Sequence, residues 1–375
     1  MIKVLLVFGT RPEAIKLAPV IYSLRNMPSI FDARVCVTAQ HRQILDQVLD
    51  LFEITPDYDL DIMTSGQSLT EVTQKAVTGV SKVIEAERPD VVLVQGDTTT
   101  TFCGALAAYY NRVNVGHIEA GLRTANKYSP FPEEINRRLT TQLTDYHFAP
   151  TEFAHRSLIN EGVKEDSIFV TGNTVIDALL WIQAKMTEKP LSLPAGLEDT
   201  LDGRKIVLVT GHRRESFGDG FENICMAIRE VADRFDDVLF IYPVHLNPNV
   251  REPVNRILGG HRRIHLIEPL AYEPFVWLMN RATIVLTDSG GVQEEAPSLG
   301  KPVLVMRDTT ERLEGIESGN AILVGKKRRN IVTRLADLLE HKDKREAMAK
   351  VSNPYGDGQA AKRIVDILER KLGGS

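Results

Sequence analysis

Short apolar runs alternate with stretches of helical period along the whole chain, and that rhythm limits the fold more than any other feature. Candidate strands lie at 4–8, 34–38, 91–95, 115–118, 146–149 and 168–171, then at 206–210, 238–243, 264–267, 284–287, 303–306 and 322–324. Helical patterns separate most of them, as at 14–25, 101–111, 174–186 and 222–234. Such alternation predicts an α/β fold with parallel sheets in βαβ units, covered by helices on both faces. The rhythm fails at 187–204, where Pro190, Pro194, Gly196 and Gly203 mark a surface connection. A chain of 375 residues is long for one core and suits two domains. After a break at 353–358, a last amphipathic helix is expected at 359–372.

A net charge of −5 argues against a nucleic-acid partner, whose footprint is basic. Cys36, Cys103 and Cys225 stand singly in apolar surroundings, which suits a reducing cytoplasm better than a disulfide framework. No apolar run approaches the ~20 residues that span a bilayer, so no membrane partner is expected. The apolar start runs directly into Thr10-Arg11-Pro12-Glu13 without a small-residue cleavage site, and reads as a buried strand.

Several strand ends carry chemistry. The segment Thr287-Asp288-Ser289-Gly290-Gly291 turns a β-branched run into a short helix bearing Glu294 and Glu295. Glycines there allow close backbone approach, and free N–H groups at the helix start favour phosphate. Glu295, one turn on, can reach whatever carries the phosphate, such as ribose hydroxyls. After the first strand, Arg11 and Lys16 flank a helix opened by Pro12. They suit a polyphosphate, although Arg11 can equally pair with Glu13. Asp97 follows the 91–95 strand as a functional carboxylate or as a helix cap. His117 and Glu119 share a face, which leaves a metal pair as an alternative, without further ligand spacing nearby. Glu133 and Glu134 open a helix rich in Asn136, Arg137 and Arg138. In the second half, His212 precedes Arg213 and Arg214, as a pyrophosphate contact or a core imidazole. Phe275 reads as core or as a platform for a nucleobase. The turn after the first strand lacks the G-x-G-x-x-G dinucleotide pattern, and no P-loop motif occurs in the chain.

Together these motifs resemble the non-hydrolysing UDP-N-acetylglucosamine 2-epimerases. The resemblance rests on Phe8–Glu13 read as Phe-Gly-Thr-Arg-Pro-Glu, Gly96-Asp97-Thr98-Thr99, His117-Ile118-Glu119-Ala120-Gly121-Leu122-Arg123 and Pro132-Glu133-Glu134. It continues through Thr210-Gly211-His212-Arg213-Arg214-Glu215, His245-Leu246-Asn247-Pro248-Asn249, the Ser289 turn, Arg307-Asp308-Thr309-Thr310-Glu311-Arg312 and Asn353-Pro354-Tyr355-Gly356-Asp357-Gly358. It covers essentially the whole chain in order.

The resemblance implies two Rossmann-like domains facing across a cleft, as in the glycosyltransferase-B fold, at 1–172 plus 358–375 and at 173–357. It implies a cytoplasmic homodimer that interconverts UDP-GlcNAc and UDP-ManNAc without a cofactor or metal, for polysaccharide synthesis. Asp97, Glu119 and Glu133 match the family's catalytic carboxylates, with His212 also in the catalytic set. Arg11, Lys16, His212, Phe275, Ser289, Gly290, Gly291, Glu295 and Arg312 are the implied nucleotide contacts, with Asp97 and Glu119 also touching the substrate. An activating UDP-GlcNAc is implied near Gln40, Gln43, Glu134, Arg213 and His245. Leu313 stands where many members have proline after the arginine.

The chemistry suits these residue types. The sugar's C2 hydrogen is barely acidic until the C1–O bond to UDP weakens. Cations and helix-start amides stabilise the departing UDP, while carboxylates support the oxocarbenium-like ring and move the proton. The implied intermediates are UDP and 2-acetamidoglucal, with Asp97 and Glu133 as proton-transfer groups and Glu119 positioning or tuning. A glycosyltransferase of the same fold, a hydrolysing epimerase that releases ManNAc, and a non-catalytic nucleotide-sugar sensor are the competing readings.

Overall fold

The structure, a computed structural model, describes residues 1–374 except 40, 41, 65, 125, 129, 189–200 and 202, with the backbone alone at 42–44, 187 and 188. It divides into two compact units, Met1–Leu180 with Tyr355–Ser375, and Trp181–Pro354.

Among the described residues the first unit carries a seven-stranded parallel sheet, ordered β3-β2-β1-β4-β5-β6-β7. Its strands are β1 (Ile2–Phe8), β2 (Phe31–Val37), β3 (Tyr58–Asp59), β4 (Val91–Gln95), β5 (Asn114–Ile118), β6 (Tyr146–Ala149) and β7 (Ile168–Val170). Val4 through Phe8 are wholly buried, as are Val91 through Val94. Helices cover both faces of a parallel sheet, so these strands read as unbroken apolar runs without polar alternation. Register places Val4 beside Val91 and Leu6 beside Leu93.

The chain's last segment returns to this unit. The Asn173 N–H donates to Tyr355 O at 2.7 Å. Asp177 accepts the N–H of Ala361 at 2.9 Å and of Ala360 at 3.3 Å, satisfying two free donors at the start of the helix Ala360–Leu372. That helix buries Ile364, Val365, Ile367 and Leu368. These ties hold the first half of the helix Thr174–Glu188 to the first unit, so the divide falls within that helix, at Leu180, beyond residue 172.

The second unit's sheet has six parallel strands in the order β10-β9-β8-β11-β12-β13 among the described residues. They are β8 (Lys205–Thr210), β9 (Val238–Pro243), β10 (Ile264–Ile267), β11 (Ile284–Thr287), β12 (Val303–Val305) and β13 (Ala321–Leu323). The helix Asp219–Arg234 packs Phe221, Ile224, Ile228 and Val231 into the core with Val207, Val209 and Phe240.

Both sheets share one arrangement. The chain winds outward from β1 through β2 to β3, then crosses to β4 on the other side, and β8 through β11 repeat this. The switch points are thus β1/β4 and β8/β11, and ligands of open α/β sheets bind beyond the carboxyl ends of strands at such places. All four strand ends there carry a motif singled out above. Cys36, Cys103 and Cys225 are free and buried, and burial pushes each thiol up to about 12. Among the described residues, no helix is long and apolar enough to cross a membrane.

Candidate active site

At the β1/β4 switch the helix Arg11–Arg25 begins immediately after Gly9-Thr10. Glu13 is buried, and its Oε2 accepts the N–H groups of Gly9 at 3.1 Å and Thr10 at 2.8 Å. Its Oε1 accepts the hydroxyls of Thr98 at 2.6 Å and Thr101 at 3.1 Å. Glu13 therefore laces the two turns of the switch together, while Arg11 stays exposed at the helix start. Burial raises the Glu13 carboxyl above its usual range, against hydrogen bonds from Thr98, Thr10 and Gly9 that lower it.

Gly96 and Asp97 form the turn after β4. Gly96 sits at φ +74°, a conformation that favours glycine. The helix Thr99–Tyr110 is capped by Thr98, whose hydroxyl accepts the Thr101 N–H at 3.1 Å, so Asp97 is not the cap. Asp97 Oδ2 instead accepts Arg137 Nε at 2.9 Å and Nη2 at 2.7 Å. Asn136 donates to the Asp97 carbonyl at 2.9 Å.

Glu119 follows β5 at φ +67°, which strains a residue with a Cβ and is typical of functional positions. Its carboxylate takes the Lys16 ammonium at 2.6 and 2.7 Å, the Gln95 amide, and Asn173 Nδ2 at 3.3 Å. A Cβ on Gly96 would lie 3.8 Å from Glu119 Oε2, so this carboxylate stands against the turn that bears Asp97. His117 donates through Nε2 to the Gly96 carbonyl at 2.7 Å, and burial lowers its imidazole to about 3, keeping it neutral. The ring thus supports the Asp97 turn, and the carboxylate of Glu119 turns to Lys16.

The helix Glu133–Leu143 supplies the third acid. Glu133 Oε2 is buried with no hydrogen-bond partner among the described residues, which leaves a lone pair open there. Glu134, expected near an activator, is fully buried. It accepts Thr124 N–H at 3.0 Å, Arg137 Nη1 at 3.2 Å and Arg138 Nε at 2.8 Å. Its observed work is to hold Arg137 against Asp97.

At the β8/β11 switch, Asp288 Oδ2 accepts the N–H groups of both His212 and Arg213 at 2.8 Å. The rings of His212 and His245 stack, with centroids 5.1 Å apart and planes 13° from parallel. Ser289 heads the helix Gly290–Glu295 without a side-chain capping bond. Arg312 lies over Gly290, where a Cβ would come within 3.0 Å of its Cζ. Its guanidinium donates to Glu294 Oε1 at 2.9 Å and to Glu311 Oε1 at 2.7 Å. Burial raises the Glu311 carboxyl, but Arg312 and Arg307 outweigh that and hold it down at about 2. Glu295 accepts the Tyr272 hydroxyl at 3.2 Å, and Phe275 is half-buried in the same helix, Tyr272–Arg281. Gln40 lies outside the described residues, as does the side chain of Gln43.

The structure thus gathers Lys16, Asp97, Glu119 and the Glu133 helix around the first switch, and His212, Ser289–Gly291 and Arg312 around the second. Glu13, Arg137, Asp288, Glu294 and Glu311 were missed as site residues, although each organises one. Asp288 had a legible signal: it follows β11 as the Gly96-Asp97 pair follows β4.

A family model described as UDP-N-acetylglucosamine 2-epimerase matches residues 24–369. The chain belongs to the UDP-N-acetylglucosamine 2-epimerase family. It is 57% identical over 370 residues to the UDP-N-acetylglucosamine 2-epimerase of Escherichia coli K12, covering 98% of each chain. The Yersinia pestis enzyme of that name is 58% identical over 371 residues, again with 98% of each chain covered. The structure of the Neisseria meningitidis UDP-GlcNAc 2-epimerase bound to UDP-GlcNAc superposes with a TM-score of 0.90 at 50% identity, covering 98% of this chain and 100% of that one. The family's members are isomerases, and the two parallel α/β sheets agree with their glycosyltransferase-B-like architecture.

Proposed function

We propose that this family member reversibly epimerises C2 of UDP-GlcNAc to give UDP-ManNAc, by eliminating UDP and adding it back to 2-acetamidoglucal. The observation that carries the reading is the acid set at the first switch. Asp97 is clamped by Arg137, Glu119 stands against Gly96, and Glu133 keeps a buried oxygen without a donor among the described residues. Arg11, Lys16, His212, Arg312 and the Ser289–Gly291 amides grip the diphosphate, Glu295 the ribose and Phe275 the uracil. Positive charge and oriented amides weaken the C1–O bond by stabilising the anion that leaves. The resulting oxocarbenium character acidifies the C2 hydrogen. Asp97 and Glu133 then serve as the proton-transfer pair, on opposite sides of the ring, with Glu119 supporting the cation.

Proton NMR of the purified protein with UDP-GlcNAc in heavy water tests this. Deuterium at C2 of both epimers, with UDP-ManNAc forming and no added cofactor, is the expected result. Full retention of the C2 hydrogen overturns the elimination mechanism. Free ManNAc identifies a hydrolysing enzyme, and glycosyl transfer to an acceptor identifies a transferase.

The same proposal includes a cytoplasmic homodimer. Leu69, Tyr109, Tyr110, Ile135 and Leu139 are exposed apolar residues on three helices of the first unit, a composition suited to a protein contact. Arg213 and His245, beside His212, remain the proposed contacts of an activating UDP-GlcNAc.

A further inference from the structure

Behind His212 stands a carboxylate that the mechanism above does not use. Asp288 is 1% exposed. Its Oδ2 anchors the turn after β8 through two backbone N–H groups. Its Oδ1 is buried and has no hydrogen-bond partner among the described residues. A carboxylate oxygen without a donor in such a place is costly, and native structures keep few of them without a reason. Oδ1 lies 3.8 Å from His212 Nδ1, close enough for a small ring rotation to complete a hydrogen bond. His245, in the loop after β9, stacks on the His212 ring and restricts its plane. His245 Nδ1 itself accepts the Asn247 N–H at 3.1 Å. Charged groups near the ring include Asp288 from the end of β11 and the neighbouring Arg213, whose guanidinium is 3.9 Å from Glu311.

We propose that Asp288 is the positioning residue for His212, accepting its Nδ1–H so that the ring presents Nε2–H to the diphosphate as UDP departs. This rests on the reading of His212 as a diphosphate contact. With both nitrogens donating, the ring is an imidazolium. It then lies between a buried carboxylate and an anionic leaving group, and both contacts are charge-assisted hydrogen bonds. As the C1–O bond breaks, its electron pair goes to the diphosphate oxygen, and the growing charge there meets a donor already aimed at it. Asp288 acts as an acceptor and transfers no proton. One side chain thereby sets both the turn, through Oδ2, and the ring, through Oδ1.

Asp288→Asn separates these two tasks. The amide oxygen can still accept the His212 and Arg213 N–H groups, while the amide NH2 faces Nδ1 and donates where the carboxylate accepted. The expected result is a melting temperature near that of the parent, KM for UDP-GlcNAc within about twofold, and kcat lower by about 10- to 100-fold, because the lost interaction grows only as UDP leaves. Nitrogen NMR of histidine-labelled protein with UDP, assigned with His212→Asn, reads the ring directly. The parent should carry protons on both His212 nitrogens, and the Asp288→Asn variant should show a bare Nδ1. A bare Nδ1 in the parent's UDP complex overturns the proposal, whether or not the variant folds. An unchanged kcat in a folded variant overturns it equally. If UDP leaves the His212 signals unmoved, the reading of His212 as a diphosphate contact fails first, and the proposal falls with it.

Discussion

Lys16 and Glu119, 103 positions apart in sequence, close a nearly buried ion pair at the first switch point, with the ammonium 2.6 and 2.7 Å from the two carboxylate oxygens. Their side chains are 13% and 5% exposed. At that burial the pair is costly to break one partner at a time, because the survivor keeps its charge without a counterion. Glu119→Gln should lower stability to urea by about 3 kcal/mol and cut turnover strongly. Lys16→Met in the same chain should recover part of the stability loss. Strictly additive losses in the double variant would show that the two groups do not depend on each other.

Arg137 holds Asp97 through two donors on one carboxylate oxygen, and Glu134 holds Arg137. Asp97→Asn should abolish turnover while UDP binding, measured by calorimetry, persists. Arg137→Met frees the carboxylate without removing it, so kcat should fall by roughly tenfold or more with little change in UDP affinity. An Asp97→Asn variant that turns over at the parent's rate ends the assignment of Asp97 to the chemistry.

Arg312 does not depend on a proline at the next position. Glu294 and Glu311 fix its guanidinium directly, while Leu313 heads the helix Leu313–Ser318 and is 42% exposed. Leu313→Pro occupies a first-turn site where proline is tolerated. It should therefore leave the KM for UDP-GlcNAc within about twofold of the parent. Glu294→Gln removes a charged partner of the arginine and should raise that KM by about tenfold. Steady-state kinetics on the pair decide the point, since the reverse order would make the backbone, not the carboxylates, the holder of Arg312.

Much of this architecture was legible because a parallel sheet writes its buried strands as continuous apolar runs. β1, β4, β8, β9 and β11 are of this kind, and their carboxyl ends carry the motifs. β3 was not legible: Tyr58–Asp59 is two residues long and has no period, and its place is set by pairing with Cys36 and Val37 on the sheet edge. Asp97 as a possible cap was decided only by the hydroxyl of Thr98, one residue on. The organising residues were hidden for a common reason. Glu13, Arg137 and Glu311 act on groups brought close by tertiary folding, and a local pattern cannot distinguish such a charge from ordinary helix-end compensation. Asn173 reaches Glu119 from a turn that no strand-end argument singled out.

Acid sensitivity follows from groups whose folded pKa values lie below their ordinary ones, His117 and Glu311 among them. Burial takes the His117 imidazole from 6.5 to about 3. The unfolded chain therefore binds a proton below about pH 6.5 that the folded chain refuses, and stability falls by up to about 1.4 kcal/mol per pH unit between those values. Glu311 adds a lower window: burial pushes its carboxyl up, Arg312 and Arg307 pull it from 4.5 to about 2, and its contribution is lost as pH falls through that range. Between about pH 6.5 and pH 5 the His117 effect operates above the Glu311 window, and His147, also lowered by burial, adds to it. His117→Gln keeps a donor for the Gly96 carbonyl and removes the titration. Urea unfolding at both pH values should show the parent losing about 1.6 kcal/mol more than the variant across that interval. Equal losses in the two proteins would mean that His117 is charged in the folded state, and that the turn bearing Asp97 rests on something other than a neutral imidazole.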